Sequence, residues 1–300
     1  MTVFFRAAFF AVAALGATSS SWSASNRTVR DDTGEAVTVS TDACRIVSLA
    51  PGTTAMLFAA GAGRCVVGTI AHSDEPAEAA RVPVVGDAET LDFEQLLAMR
   101  ASVVVVAVDV VQRVRIDRIR KMGIPVYQVH VTTLAGMPES LRRLGALTAT
   151  GSVANAAADR LSAELAALDA RYRNRPQVRV LYQIWDRPIY TIGGRHVISD
   201  ALKLCGASNE FADLETAAPA VTREAAVLRN PDLVLASAPR GAADDWLAEW
   251  RKFPALKAVR DGHLIAYTDE RIDRMGPSVI AATAHLCEVI DGARNSAARP

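Results

Sequence analysis

The sequence predicts an α/β fold of two Rossmann-like lobes with parallel sheets, joined by one long helix. Three observations carry that expectation. Short Val-rich runs such as Val103-Val104-Val105-Val106 alternate with helical patterns, and strands apolar on both sides belong in a parallel sheet covered on both faces. The alternation recurs in both halves of the chain. Between the halves, Ser152 to Tyr172 contains neither Gly nor Pro and spaces Leu161, Leu165 and Leu168 at helical intervals. A helix of that length spans roughly 30 Å at about 1.5 Å per residue, enough to pass from one lobe to the other.

At the start of the chain, Arg6 precedes the apolar run Ala7 to Leu15 and the small, polar stretch Gly16 to Ser25. This is the order of a secretory signal peptide, and the apolar run falls short of the roughly 20 residues that span a bilayer. Ser21 with Ser23, or Ser23 with Ser25, supplies small residues for cleavage. The expected organisation is a signal peptide over 1–25, a first lobe over 26–150, the linking helix over 151–175 and a second lobe over 176–300. An uncleaved anchor is the alternative start.

Val29 to Val39, turned at Asp31-Asp32-Thr33-Gly34, reads as an opening hairpin. Strands are expected at Arg45–Leu49, Val66–Thr69, Val103–Ala107 and Val126–Val129, and helices at Thr53–Ala60, Phe93–Met99, Arg113–Met122 and Met137–Thr148. Met122-Gly123-Ile124-Pro125 stops one helix, and Asn174-Arg175-Pro176 ends the linker. In the second half, strands are expected at Val178–Gln183, Leu233–Ala236 and Leu264–Tyr267, with helices at Val197–Cys205, Asp244–Arg251 and Pro277–Ile290. No short internal repeat stands out.

Export makes disulfides the expectation for the four cysteines. Cys44 and Cys65 each precede a strand of one strand–helix–strand unit, and parallel strands start at the same sheet edge, close enough for a bridge. Cys205 and Cys287 fall in helical segments and pair if those helices pack together. Four buried thiols are the alternative, and no CxxC spacing suggests a metal site.

Lys+Arg and Asp+Glu both number 33, and aromatic residues make up 6%. Neither the basic excess of a nucleic-acid binder nor the aromatic content of a single-strand platform is present. The GxSxG, GxxxxGK[ST], HExxH and GxGxxG signatures are absent. His72-Ser73-Asp74 joins triad-type residues in sequence only, and reads as a polar loop after a strand. His72, Asp74 and Glu75 are also hard or borderline metal ligands. An exported hydrolase with His72 or His196 as base is the enzymatic alternative. More informative is the loop Ile184 to His196, at the C-terminal end of a predicted strand, where open α/β sheets bind ligands. Trp185 and Tyr190 offer faces to a flat ligand, and Arg187, Arg195 and His196 offer positive charge. The structural alternative tucks Trp185 into the core.

The segments Val29-Arg30-Asp31-Asp32-Thr33-Gly34, Arg45-Ile46-Val47-Ser48-Leu49-Ala50-Pro51, Leu91-Asp92-Phe93-Glu94 and Arg229-Asn230-Pro231-Asp232-Leu233-Val234 together resemble the ferric-siderophore, haem and cobalamin group of periplasmic binding proteins. The likeness covers nearly all of the mature chain, and the motifs are specific only in combination. Tyr190-Thr191, Asp200 to Gly206 and Asn209-Glu210-Phe211 are most similar to the cobalamin-binding members, whose cysteine pair matches Cys205 and Cys287.

The resemblance implies lobes bridged by a rigid helix, with small closure around a metal chelate that is carried rather than kept as a cofactor. It implies a periplasmic monomer whose partners are an ABC permease with its ATPase, touched peripherally at the membrane. One glutamate per lobe, Glu94 and Glu224, would dock on permease arginines by charge complementarity. The expected ligand residues are Trp185, Tyr190, Arg195, His196, His72 and Arg274, with no catalytic residue and no protein-held metal. The pocket departs from the cobalamin pattern, because Ala88 and Ala218 stand where aromatics stack, Glu75 replaces another, and Ala55 stands where relatives often carry Glu. The cations Arg187, Arg195, Arg271 and Arg274 suit an anionic chelate. A carboxylate siderophore or haem would benefit from them as much as a corrinoid. The second-lobe likeness favours the corrinoid, with a ferric siderophore or haem as the alternative ligand and a non-transport sensor domain as a further alternative.

Overall fold

A computed structural model describes residues 26–40, 44–87, 89–108, 110–238 and 241–296. The expected signal peptide and Ala88 lie outside the described residues. Strands β1 (Asn26–Arg30) and β2 (Ala36–Ser40) form the opening hairpin. Its turn is fastened to the first lobe by two carboxylates. Asp31 accepts from the backbone N–H of Thr33, Glu35 and Gln128, and Asp32 accepts from the Ser140 hydroxyl at 2.6 Å and Arg143 at 2.9 Å.

The first lobe runs β3 (Ile46–Ser48), α1 (Pro51–Ala59), β4 (Val66–Gly68), α2 (Phe93–Ala98), β5 (Val103–Ala107), α3 (Arg113–Lys121), β6 (Val126–Val129) and α4 (Gly136–Thr148). Its sheet is wholly parallel in the order β4-β3-β5-β6. Helix α5 (Gly151–Tyr172) leads to the second lobe. That lobe runs β7 (Val178–Trp185), β8 (Ile189–Thr191), α6 (Val197–Leu204), β9 (Ala207–Asn209), β10 (Ala220–Val221), α7 (Arg223–Arg229), β11 (Leu233–Ser237), α8 (Ala243–Trp250), α9 (Lys257–Arg260), β12 (Leu264–Tyr267) and α10 (Val279–Ser296). Strands β7, β11 and β12 are parallel neighbours, and β7 also pairs with β9 in parallel and with β8 antiparallel. The segment expected as one loop after β7 thus contains a short strand, β8, that doubles back along it.

The two lobes repeat one plan. In each, the second parallel strand in chain order lies outside the first, followed by the third and fourth on the other side. The helix before the third strand is α2 in one lobe and α7 in the other. Asp92 caps α2 by accepting from the Gln95 N–H, and Thr222 caps α7 by accepting from the Ala225 N–H. A left-handed residue follows each helix, Arg100 at φ 48° and Asn230 at φ 49°. The repeat therefore exists in structure although few side chains match.

Strand alternation divides the core. Val103 and Val105, with Leu233 and Leu235, belong to one apolar cluster that continues through α4, α5, α6 and α10 from lobe to lobe. Val104 and Val106 face a separate cluster beneath α2 and α3, and Val234 and Ala236 face another beneath α8. The shared inner cluster makes the lobes one packed body, since separating them would expose apolar surface. In α5 the buried positions are Ala154, Ala157 and Ala158, while Leu161, Leu165 and Leu168 pack only partly. Small residues let α4 approach, because a Cβ on Gly145 would lie 2.3 Å from the Ala154 Cβ. Both disulfides are present. Cys44–Cys65 joins the starts of β3 and β4 at a Cα separation of 5.0 Å, and Cys205–Cys287 joins the end of α6 to α10 at 4.7 Å.

Candidate ligand-binding cleft

In open α/β sheets ligands gather outside the C-terminal strand ends, where the strand order reverses. In the first lobe that point lies between β3 and β5. A cavity of about 340 Å³ opens there. Every strand of the first sheet contributes to it: Ala50 to Thr53 after β3, His72 after β4, Ala107 and Val110 at β5, Val129 and Val131 at β6. Glu270, Asp273, Arg274 and Met275, after β12, close it from the second lobe. The cavity therefore lies between the lobes.

Its walls are held from behind by buried hydroxyls. Ser48 Oγ meets Thr53 Oγ1 at 2.7 Å, and Thr54 Oγ1 lies 2.9 Å from Ser48 Oγ and 3.4 Å from Ser73 Oγ, within hydrogen-bond reach of both. This ties the β3–α1 junction to the loop that carries His72. His72 itself sits at φ 65° and Met275 at φ 53°, left-handed conformations that are uncommon away from glycine. Gly52 passes so close to the second lobe that a Cβ would lie 2.3 Å from the Arg274 carbonyl oxygen. Ser278 donates to Glu75 at 2.9 Å, Arg274 pairs with Asp74, and Asp200 accepts from the Leu134 N–H at 2.8 Å, all across the lobe boundary.

The charges are distributed unevenly. Arg274 is the only Lys or Arg lining the cavity among the described residues, and its guanidinium is paired with Asp74. The other cations that appeared to suit an anionic chelate are paired as well. Arg187 is 3.0 Å from Asp186, Arg271 is 2.6 Å from Asp269, and Arg195 stands 3.9 Å from Glu215. Glu270 and Asp273 line the cavity with no ion-pair partner among the described residues. Partial desolvation on the cleft wall, where the side chain still meets water, reinforced by Glu270 and Asp269, raises the Asp273 carboxyl to about 6 against a hydrogen bond from Ser237. The start of α1 also opens on the cavity, but its roughly half positive charge is smaller than two carboxylates.

Of the residues singled out in the sequence, His72 and Arg274 meet in this cavity from opposite lobes. Trp185 and Tyr190 are register partners at the end of β7, outside the cavity lining, with Trp185 about half exposed and edge-on to Trp246 at 6.1 Å. Arg195 borders a different hollow of about 480 Å³ beside α6 and β9. His196 caps α6 by accepting the Ile198 N–H on Nδ1 at 3.2 Å. Glu94 and Glu224 are both exposed, at the second residue of α2 and α7. Ala55 is buried against Gly276, and Ala218 is exposed. Glu270 and Asp273 were missed, although the rule that pointed to the end of β7 applies equally to β12. Among the described residues no three His, Cys, Asp or Glu side chains gather to hold a metal, and no helix is long and apolar enough to cross a membrane.

Residues 46–271, which contain the parallel sheets of both lobes and all of the cavity lining except Asp273, Arg274 and Met275, match the periplasmic binding protein family. The chain belongs to that family. Within it, the chain is 28% identical over 244 residues to a vitamin B12-binding protein of Vibrio parahaemolyticus serotype O3:K6, covering 81% of this chain and 88% of the relative. A vitamin B12-binding protein of Yersinia pestis strain Pestoides F is 27% identical, with 81% and 85% covered. The solved structure of a periplasmic vitamin B12 binding protein of Vibrio cholerae superimposes with a TM-score of 0.77 at 27% identity, covering 84% of this chain and 98% of that one. A periplasmic haem-binding protein of the same organism shares the fold, with a TM-score of 0.68 at 22% identity and coverages of 82% and 98%. This periplasmic binding protein thus has the two-lobed architecture of its solved relatives.

Proposed function

We propose that the chain is an exported, monomeric carrier that binds a corrinoid between its lobes and delivers it to an ABC permease with its ATPase. The observation that carries the choice of ligand is the charge of the cleft. Among the described residues its one guanidinium is already paired, while two carboxylates on the wall have no ion-pair partner. Such a wall favours a neutral or cationic chelate over one that presents carboxylates. A corrin ring edged with amides meets that condition, and the relatives named for vitamin B12 support it. Trp185 and Tyr190 then form an aromatic margin on the second lobe, His72 and Arg274 face the ligand, and Glu94 and Glu224 dock on the permease. Relatives named as binding proteins rather than enzymes support a carrier over a hydrolase.

One feature favours haem as a second reading. The His72 imidazole is open in the cavity and is a competent axial ligand for iron. Calorimetric titration with cyanocobalamin and with haemin separates the two. Saturable one-to-one binding of cyanocobalamin, tighter than haemin, is expected. Tighter haemin binding, with a Soret band that shifts in His72→Ala, would replace the corrinoid by haem.

A further inference from the structure

Asp74 and Arg274 lie 200 positions apart in sequence and belong to different lobes. The ion pair between them has two readings. It either fastens the lobes or controls what Arg274 can bind. The junction is already fastened beside it, by the Ser278–Glu75 hydrogen bond and by the backbone contact at Gly52. The pair itself is open to water, with side-chain exposures of 29% for Arg274 and 52% for Asp74. Exposed pairs of this kind add little to stability. Their effect on a third charge arriving at the same guanidinium is direct, because a ligand carboxylate must either displace the one already held by Arg274 Nη1 or lie beside it.

We infer that Asp74 is a specificity-determining residue: a built-in carboxylate that occupies Arg274 and so excludes chelates bearing carboxylates from the cleft. This rests on the cleft being the ligand site. The hydrogen bond from Arg274 holds the Asp74 carboxyl below its usual range, so it stays ionised wherever the protein is folded at mildly acidic or neutral pH. Glu270 and Asp273, on the same side of the cavity, add to the exclusion but do not touch the guanidinium. The loop carrying Asp74 is fixed by Ser73 in the buried hydroxyl cluster, so the carboxylate is presented at a set position rather than on a free tail.

The experiment compares the wild type, Asp74→Asn, Asp74→Glu and the double variant Asp74→Asn with Arg274→Gln. Two corrinoids serve as probes, cyanocobalamin with its peripheral amides and cobyrinic acid, which has carboxylates in their place and lacks the nucleotide loop, a difference common to all variants that cancels in the comparison, with haemin as a third. The affinity ratio of cobyrinic acid to cyanocobalamin is expected to rise about tenfold or more in Asp74→Asn, as a charge-assisted hydrogen bond becomes available. The gain should shrink at high salt, be absent in Asp74→Glu, and vanish in the double variant. A purely structural role would move the melting temperature and leave the ratio alone. Failure of the wild type to bind cyanocobalamin removes the corrinoid reading, and haemin then measures the same effect of Asp74. No gain for either anionic probe in Asp74→Asn overturns the inference, whether or not cyanocobalamin binds.

Discussion

The carboxyl of Asp273 faces Glu270 and Asp269 on its own turn, Ser237 on β11 and Tyr182 on β7, with Arg274 next in sequence. Desolvation raises its pKa from 3.8 to about 6, the neighbouring carboxylates push the same way, and the Ser237 hydroxyl opposes them. Water still reaches the side chain in the open cleft, so part of the cost of ionising it is screened and the effect on stability is modest. The folded value lies above the unfolded one, so the native state holds the extra proton. Its stabilisation is complete below the unfolded value of 3.8 and is lost as pH rises through about 6. Asp273→Asn keeps the shape and removes the titration. The melting temperature of that variant, relative to the wild type, should climb between about pH 4 and about pH 7 and then level off. Calorimetric scans across a pH series check this. A constant difference over the range means that Asp273 titrates as an ordinary surface carboxylate.

Helix α1 depends on Gly52 in a way that helix propensity alone would not suggest. Ala in place of Gly inside a helix gains about 1 kcal/mol in propensity. Here the new Cβ would sit 2.3 Å from the Arg274 carbonyl oxygen and 2.6 Å from that of Met275. Both are backbone atoms of the other lobe and cannot swing aside, so overpacking of about 1–3 kcal/mol should win. Gly52→Ala is expected to shift the urea midpoint downward, and a midpoint at or above the wild-type value means that the lobes part here without cost. No sequence pattern announces this contact, because it joins the N-terminus of one helix to a turn more than two hundred residues on. The elements that were legible are those with their own signal: β5 from four consecutive valines, α5 from its long stretch without breakers, and Cys44–Cys65 from expected export and element order, whereas Cys205–Cys287 rested on helix packing and on the family resemblance. Strands β8, β9 and β10 have only two or three residues and show no period, and they exist through pairing with longer neighbours. The same limit applies to the cleft. His72 and Arg274 follow predicted strand ends and line the cavity, whereas Arg187, Arg195, Arg271 and Arg274, expected to suit an anionic chelate, each have a carboxylate partner: Asp186 and Asp269 stand beside Arg187 and Arg271 in the sequence, but Glu215 and Asp74 reach Arg195 and Arg274 only through the fold.

Across the whole molecule, the repeated plan gives each lobe an equivalent surface element. Glu94 and Glu224 occupy the same step of their helices, two residues after the capping side chain, and both are exposed with no partner among the described residues. A rival explanation is local. A carboxylate in the first turn of a helix is favoured by the helix dipole, by about 0.3–1 kcal/mol. That explanation requires no partner and predicts only a small loss of stability in Glu94→Gln or Glu224→Gln. The proposed docking role predicts something else. Two equivalent acidic points on one packed body fix both position and rotation on a partner, so losing one weakens the encounter and losing both removes its orientation. The cleft lies outside both helices, so ligand affinity should not follow. In vesicles carrying the permease and its ATPase, each single exchange is expected to lower uptake and the double exchange nearly to abolish it, while titration of the free protein gives the wild-type affinity. The deficit should deepen with salt, since screening weakens the remaining charge pairs. Normal uptake by the double variant would sink the docking role and leave the two glutamates as helix-start charges.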